Sequence, residues 1–250
     1  MAQPAPTTLV IYHTSDIHDR RGFGQSLAKL VEPTALLVDC GDALRGSSTV
    51  FFDREPIARD FAAAPYCAGA VGNREFHYRY RWFLARARAL PMPLVCSNLV
   101  DLRGRSPCPF ERALFVNGAG RRVRLLGVMP PQYRTGSCWE RLTGWRFLDP
   151  HVALAALLEA PPQSDLTVIL SHLGLGADRK LAAAFPQIGA ILGGHSHDTL
   201  AQPEFVRGVP IAHAGPYGRC AGRLELTVDA GRSRFISYRL VPLSGVHRAA

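Results

Sequence analysis

LVIYHTSDIH, residues 9–18, begins as an unbroken apolar, β-branched run and ends in an aspartate and a histidine two positions apart. An apolar run without polar alternation suits a strand covered on both faces, as parallel strands are in α/β folds. The same form returns four times: ALLVDCGD at 35–42, CAGAVGNRE at 67–75, LTVILSH at 166–172 and AILGGHSH at 190–197. Each apolar run gives way to glycine, aspartate, asparagine or histidine as soon as the strand should end. Helical patterns lie between the runs, so the chain reads as successive βα units rather than a bundle or an all-β sandwich.

Working outward, strands are expected at 9–14, 35–40, 67–72, 93–99, 166–173 and 190–194. Helices are expected at 26–31, 56–64, 78–90, 150–160 and 177–185, with Asp149 capping the fourth and Pro150 at its first position. Two regions break the alternation. Residues 112–129 read as a hairpin about a Gly-rich turn, and residues 211–243 as antiparallel C-terminal strands. Residues 106–109 and 130–144 read as surface loops. The fold class is therefore α/β with a mixed sheet system flanked by helices. Residues 1–8 are expected as a disordered tail, 9–243 as one catalytic domain and 244–250 as a short C-terminal tail.

The chain has 250 residues, 47% hydrophobic and 20% charged, which suits a globular domain and excludes low complexity. No apolar run approaches the ~18–20 residues that span a bilayer, so no membrane partner is expected. The net charge is +9, with 27 arginines against only Lys29 and Lys180. No basic block is interleaved with aromatics, which disfavours a nucleic-acid partner. The six cysteines show no C-x-x-C spacing, so neither disulfides nor a cysteine zinc site is expected. Residues 1–8 lack a basic and apolar leader pattern, which points to the cytoplasm or to a chain trimmed of its leader.

The chemistry sits at the strand ends. Asp16 and His18 follow the first strand, Asp42 the second, and Asn73, Arg74 and Glu75 the third; His172 ends the fifth, and His195 and His197 follow the sixth. Carboxyl ends of strands in an open α/β sheet line one crevice, so these residues are expected to converge. Residues i and i+2 on extended chain point the same way, so Asp16 with His18, and His195 with His197, can each chelate one ion. Carboxylate, imidazole and amide oxygen together suit manganese, zinc or iron better than magnesium or calcium. His13, His151, His213 and His247 read as packing, cap or surface residues.

The ordered set DIH, GD, GNRE, SH, GHSH resembles the calcineurin-like metallophosphoesterases, whose series is D-x-H, G-D, G-N-H-D/E, H, G-H-x-H. Within that superfamily HTSDIH, LLVDCGDALRGS, AVGNREF, VILSHLGLGAD, ILGGHSH and AHAGPYGRCAGRLELTVD look most like the 5′-nucleotidase catalytic domain. The resemblance covers residues 9–243. It implies a four-layer αββα sandwich, two mixed sheets packed face to face between helices. It also implies two divalent ions, manganese foremost, with zinc or iron as alternatives. By resemblance, Asp16, His18, Asp42 and His197 would hold one, and Asp42, Asn73, His172 and His195 the other, with Asp42 bridging. The implied reaction is hydrolysis of a small-molecule phosphate ester, such as a nucleotide or a phosphodiester, by a metal-bridging hydroxide.

One departure matters. The family has His where this chain has Arg74, and commonly Asp where it has His77. A guanidinium stays protonated and cannot give a proton to a leaving alkoxide, although it can hold a phosphoryl oxygen. Three outcomes are open. His77 replaces the acid, which needs a helix beginning at 73–80 to bring it beside position 74; or the substrates have leaving groups that need little protonation; or the domain binds metal but is catalytically silent, an interaction or regulatory module. Arg45, with Arg20 and Arg21, is expected at the crevice rim, where it could receive an anionic substrate. The resembled nucleotidases carry a further domain that supplies base recognition, so nucleotide specificity does not transfer.

Overall fold

A computed structural model describes residues 6–159, 163–229 and 232–248. Along the chain it contains β1 (Thr7–Thr14), α1 (Gly24–Leu30), β2 (Leu36–Asp39), α2 (Ala58–Ala63), β3 (Ala68–Ala70), α3 (Tyr80–Ala89) and β4 (Leu94–Val95). There follow β5 (Leu99–Asp101), β6 (Leu114–Gly118), β7 (Arg121–Val128), α4 (Cys138–Thr143), β8 (Trp145–Phe147), α5 (Pro150–Glu159) and β9 (Leu166–Ser171). The chain closes with α6 (Leu175–Ala184), β10 (Ala190–Gly193), β11 (Glu204–Val206), β12 (Val209–His213), β13 (Cys220–Asp229) and β14 (Arg232–Pro242).

The strands form two six-stranded sheets, ordered β14-β13-β1-β2-β3-β4 and β11-β12-β10-β9-β7-β6, with a separate β5-β8 pair. Parallel pairing runs from β1 through β4 in the first sheet and through β7, β9, β10 and β12 in the second. The inner faces meet in one apolar layer, with Leu9, Ile11 and Val38 from the first sheet and Val123, Val168, Leu170 and Leu192 from the second. A second cluster packs Leu27, Phe61 and Phe83 of α1 to α3 with Tyr12, Leu37 and Leu94 of the first sheet. A third packs Leu154 of α5 and Leu181 of α6 with Leu126, Ile169 and Ile191. This is the four-layer αββα sandwich. Burying each such side chain contributes roughly 1.5–3 kcal/mol, which is why the unbroken apolar runs become the central strands.

Local expectations hold where patterning is strong and shift where long-range pairing decides. Asp149 Oδ1 accepts the backbone N–H groups of His151 and Val152 at 2.8 and 3.2 Å, capping α5 as its sequence suggests. The 112–129 hairpin is present as β6 and β7, with Leu114 opposite Leu125. The expected 93–99 strand is instead broken after Val95. Asn98 turns aside to exchange hydrogen bonds with Met129, donating to its carbonyl at 2.9 Å and accepting its N–H at 3.0 Å. The 211–243 region is not wholly antiparallel: β12 runs parallel to β10, and β13 crosses to the other sheet to pair antiparallel with β1. Residues 130–144 contain α4, which ends at Gly144 in a left-handed conformation (φ 78°). No helix begins at residue 73; residues 73–79 are turns and bends, and α3 starts at Tyr80. β1 begins at Thr7, inside the expected tail, and His247 of the C-terminal segment pairs with Arg21. The rest of the expected N-terminal tail, residues 1–5, lies outside the described residues.

Candidate metal centre

The carboxyl ends of β1, β2 and β3 in one sheet and of β9 and β10 in the other face one cleft, and every strand-end residue singled out from the sequence as a ligand lies on these loops. His18 Nε2 and His197 Nε2 are 3.0 Å apart, and Asp16 Oδ1 lies 3.9 Å from the former and 3.6 Å from the latter. On the other side, His172 Nε2 faces Asp42 Oδ1 at 3.3 Å, and Asn73 Nδ2 lies 3.4 Å from His195 Nδ1. The donor atoms form two groups, Asp16-His18-His197 and Asp16-Asp42-His172, each within 4.8 Å. Asp16 belongs to both groups, whereas the resemblance places the bridge at Asp42.

The backbone is bent to achieve this. Asp16, His18, Asp42, His195 and His197 all adopt positive φ, between 51° and 74°. Such conformations cost about 1–3 kcal/mol each outside glycine and concentrate where surrounding structure holds functional groups in place. Two close approaches explain neighbouring glycines. A Cβ on Gly72 would come within 2.5 Å of the Asp42 N and Oδ1 atoms, and one on Gly41 within 2.9 Å of His172 Nδ1.

Behind the loops sits Glu75, 1% exposed, whose carboxylate accepts the N–H groups of Gly72, Asp42, Ala43 and Leu44 at 2.8–3.1 Å. It ties the second and third loops together. Burial, then the Asp42 charge, raise its pKa. Ser171 Oγ donates to Asp178 Oδ1 at 2.5 Å, and Asp178 Oδ2 lies 2.8 Å from His213 Nε2. This buried network joins α6, β9 and β12 and holds Ser171, the residue before His172. Gln132 donates to Asn73 Oδ1 at 2.9 Å, orienting that amide. Glu75 stands inside the GNRE motif and Asp178 ends the VILSHLGLGAD block without an assigned role, His213 reads from the sequence only as a packing, cap or surface residue, and Gln132 carries no local signal because its partner Asn73 is far away in sequence.

The electrostatics suit a cation. Burial opposes ionisation of Asp42, but His172 and the Arg74 backbone N–H hold its carboxyl well below the usual range. Burial alone would lower His172, yet Asp42 raises its pKa to about 9, so a metal ion at Nε2 would take the place of that proton beside the Asp42 carboxylate. Burial and then the Arg74 charge lower His18 to about 4, leaving a neutral imidazole with a lone pair at pH 7. His172 Nδ1 is directed at the Cys40 carbonyl at 2.8 Å, which holds the ring so that the buried Nε2 faces Asp42 in the centre. The residues present therefore fit divalent ions.

Arg74 lines the cleft. Its Nε is 3.8 Å from Asp42 Oδ2 and its Nη1 donates to the Gly46 carbonyl at 3.3 Å. His77 does not line it. The ring packs edge-on against Trp82, its Nδ1 accepts the Arg79 N–H at 2.9 Å, and burial, then Arg86, lower its pKa to about 4. The cleft measures about 720 Å³ and is also lined by Arg20, Arg45, Tyr217 and Arg248. Arg45 leans on Phe52, 4.3 Å from the ring centroid, and Tyr217 packs between His18, His197 and Arg20. Arg21 lines a different depression.

Residues 9–199 match the family model for calcineurin-like phosphoesterases. The chain belongs to that family. Its members are phosphoric ester hydrolases that use divalent metals. An uncharacterised metallophosphoesterase of Bacillus subtilis, YunD, is 30% identical over 241 residues, covering 89% of this chain and 50% of that protein. A 5′-nucleotidase of Vibrio cholerae is 22% identical, covering 94% of this chain and 52% of that protein. The chain thus spans about half the length of these two relatives. Among solved structures, a 5′-nucleotidase precursor of Thermus thermophilus superposes with a TM-score of 0.72 at 22% identity, over 94% of this chain and 54% of that one. The phosphoesterase YfkN of Bacillus subtilis gives 0.71 at 21% identity over 96% of this chain and 92% of that one. These structural likenesses show the fold. No described helix is long and apolar enough to cross a membrane.

Proposed function

We propose that this chain is a dinuclear metal-dependent phosphoesterase for substrates whose leaving group departs without a proton from the enzyme, such as aryl esters, activated diesters and nucleotide anhydrides. The observation that carries this reading is Arg74 in the wall of the cleft, beside Asp42, at the position where the family motif has histidine. Asp16, His18, Asp42, Asn73, His172, His195 and His197 would hold two divalent ions, manganese foremost. Bound ions would supply Lewis acidity and an activated water nucleophile. The chain's own residues do the rest. The Arg74 guanidinium receives a phosphoryl oxygen and stabilises the charge that develops on it. Arg45, Arg20 and Arg248 line the same cleft and draw in anions. Proton donation is not available from Arg74, which stays charged, nor from His77, which is neutral at pH 7 and outside the cleft.

The test is a leaving-group series on manganese-loaded protein: an aryl phosphomonoester, an aryl phosphodiester and AMP. Turnover of the aryl esters with poor AMP hydrolysis is expected, and Arg74→His should raise AMP hydrolysis about tenfold or more, toward the ~10²–10⁴ typical of a general acid. Brisk AMP hydrolysis by the wild type would overturn the role given to Arg74. Metal binding without turnover of any ester would instead assign a silent module.

A further inference from the structure

At the opposite end of the same strands lies a second pocket, of about 590 Å³. It opens where β9 and β10 begin, lined there by Leu166, Thr167 and Gly189, whereas the metal centre lies where those strands end. In its wall is Arg124 of β7, only 7% exposed. Its Nε donates to Thr167 Oγ1 and its Nη1 to the Leu157 carbonyl, both at 3.1 Å. Among the described residues Nη2 makes no hydrogen bond and no carboxylate pairs with the guanidinium. Asp165 also lines the pocket, but its carboxylate is engaged away from Arg124, 3.8 Å from Arg121 Nη1 and accepting the Arg122 N–H at 2.8 Å. The undescribed residues 1–5, 160–162, 230–231 and 249–250 contain no acidic side chain.

A buried guanidinium without a counterion is rare, because its desolvation is not offset by attraction to an anion. Burial is the one influence displacing the Arg124 pKa, and it acts downward with no acid to oppose it. A second guanidinium, Arg207 on the β11–β12 turn, stands at the same pocket. The remaining wall is partly apolar, including Ile188, Pro210 and Phe235. The volume lies within the ~300–1,000 Å³ usual for small-molecule sites.

We propose that this pocket binds a small organic anion, its carboxylate or phosphate head on Arg124 and Arg207 and its apolar body against Ile188, Pro210 and Phe235. The site is separate from the metal centre and does not depend on the catalytic reading.

The test is isothermal titration of benzoate, an organic anion without a phosphoryl group for the metal centre, into metal-loaded wild type, Arg124→Met and Arg207→Gln. Saturable binding is expected in the wild type, weakened about tenfold or more in Arg124→Met and severalfold in Arg207→Gln, with aryl phosphate hydrolysis unchanged in both. Arg207 is exposed, so its variant keeps the test decisive if Arg124→Met fails to fold. Absence of saturable binding, or equal binding in wild type and both variants, would overturn the proposal.

Discussion

The two ends of the parallel strands present arginines in opposite settings. At the carboxyl ends, Arg74 lies 3.8 Å from Asp42 in a cleft that also holds Asp16 and four histidines. At the amino ends, Arg124 is buried with no ion-pair partner among the described residues. The contrast follows from chain geometry. Loops leaving the carboxyl ends adopt the positive φ values that turn carboxylates and imidazoles toward one point. The amino ends contribute mainly strand starts, apolar wall and backbone. Opposed donors at one end therefore suit metal chemistry, and an unmatched cation at the other suits an anion.

The largest effect that would break this contrast comes from Asp42. Asp42→Ala should abolish tight metal binding and lower aryl ester hydrolysis by about 10³-fold or more, because it removes the carboxylate facing His172. Elemental analysis with steady-state kinetics checks both, and a variant that kept metal and activity would show that the carboxyl-end cluster is not the centre. A smaller effect is expected from Asp178→Asn, which leaves every donor in place but disturbs the Ser171-Asp178-His213 network that holds the residue before His172. Metal affinity should fall about 10- to 100-fold, as outer-shell changes typically cause. Competition with a chelator measures it, and added metal should restore activity if the residue acts by positioning. The smallest effect sharpens the boundary of the cleft. His77→Ala should change the rate of aryl ester hydrolysis by less than about twofold, because His77 packs on Trp82 away from the cleft. A loss near the ~10²-fold of a missing general acid would place His77 in the reaction.

Much of the fold was legible because its central strands are continuous apolar runs, and burial on both faces leaves little alternative for them. The proposed ligands were legible for a related reason: they follow those runs immediately, so strand ends mark them. Strand order was not legible. Nothing near residue 211 announces that β12 lies beside β10 or that β13 then crosses to β1, since such pairings depend on surfaces far away in sequence. Gln132 and Arg248 escaped for the same reason, each entering the cleft or its support from a segment with no distinguishing local pattern, whereas Tyr217 lies in a block noted for its resemblance but drew no role there. The helix expected at 78–90 is present as α3, but the outcome that His77 replaces the acid required a helix from 73, and turns carry the chain there instead, leaving His77 outside the cleft.

The most direct measurement is the metal content of manganese-reconstituted wild-type protein by elemental analysis. Two ions per chain are expected from Asp16, His18, Asp42, Asn73, His172, His195 and His197 acting together. Fewer than one ion per chain would contradict the assignment of the carboxyl-end cluster as a dinuclear centre.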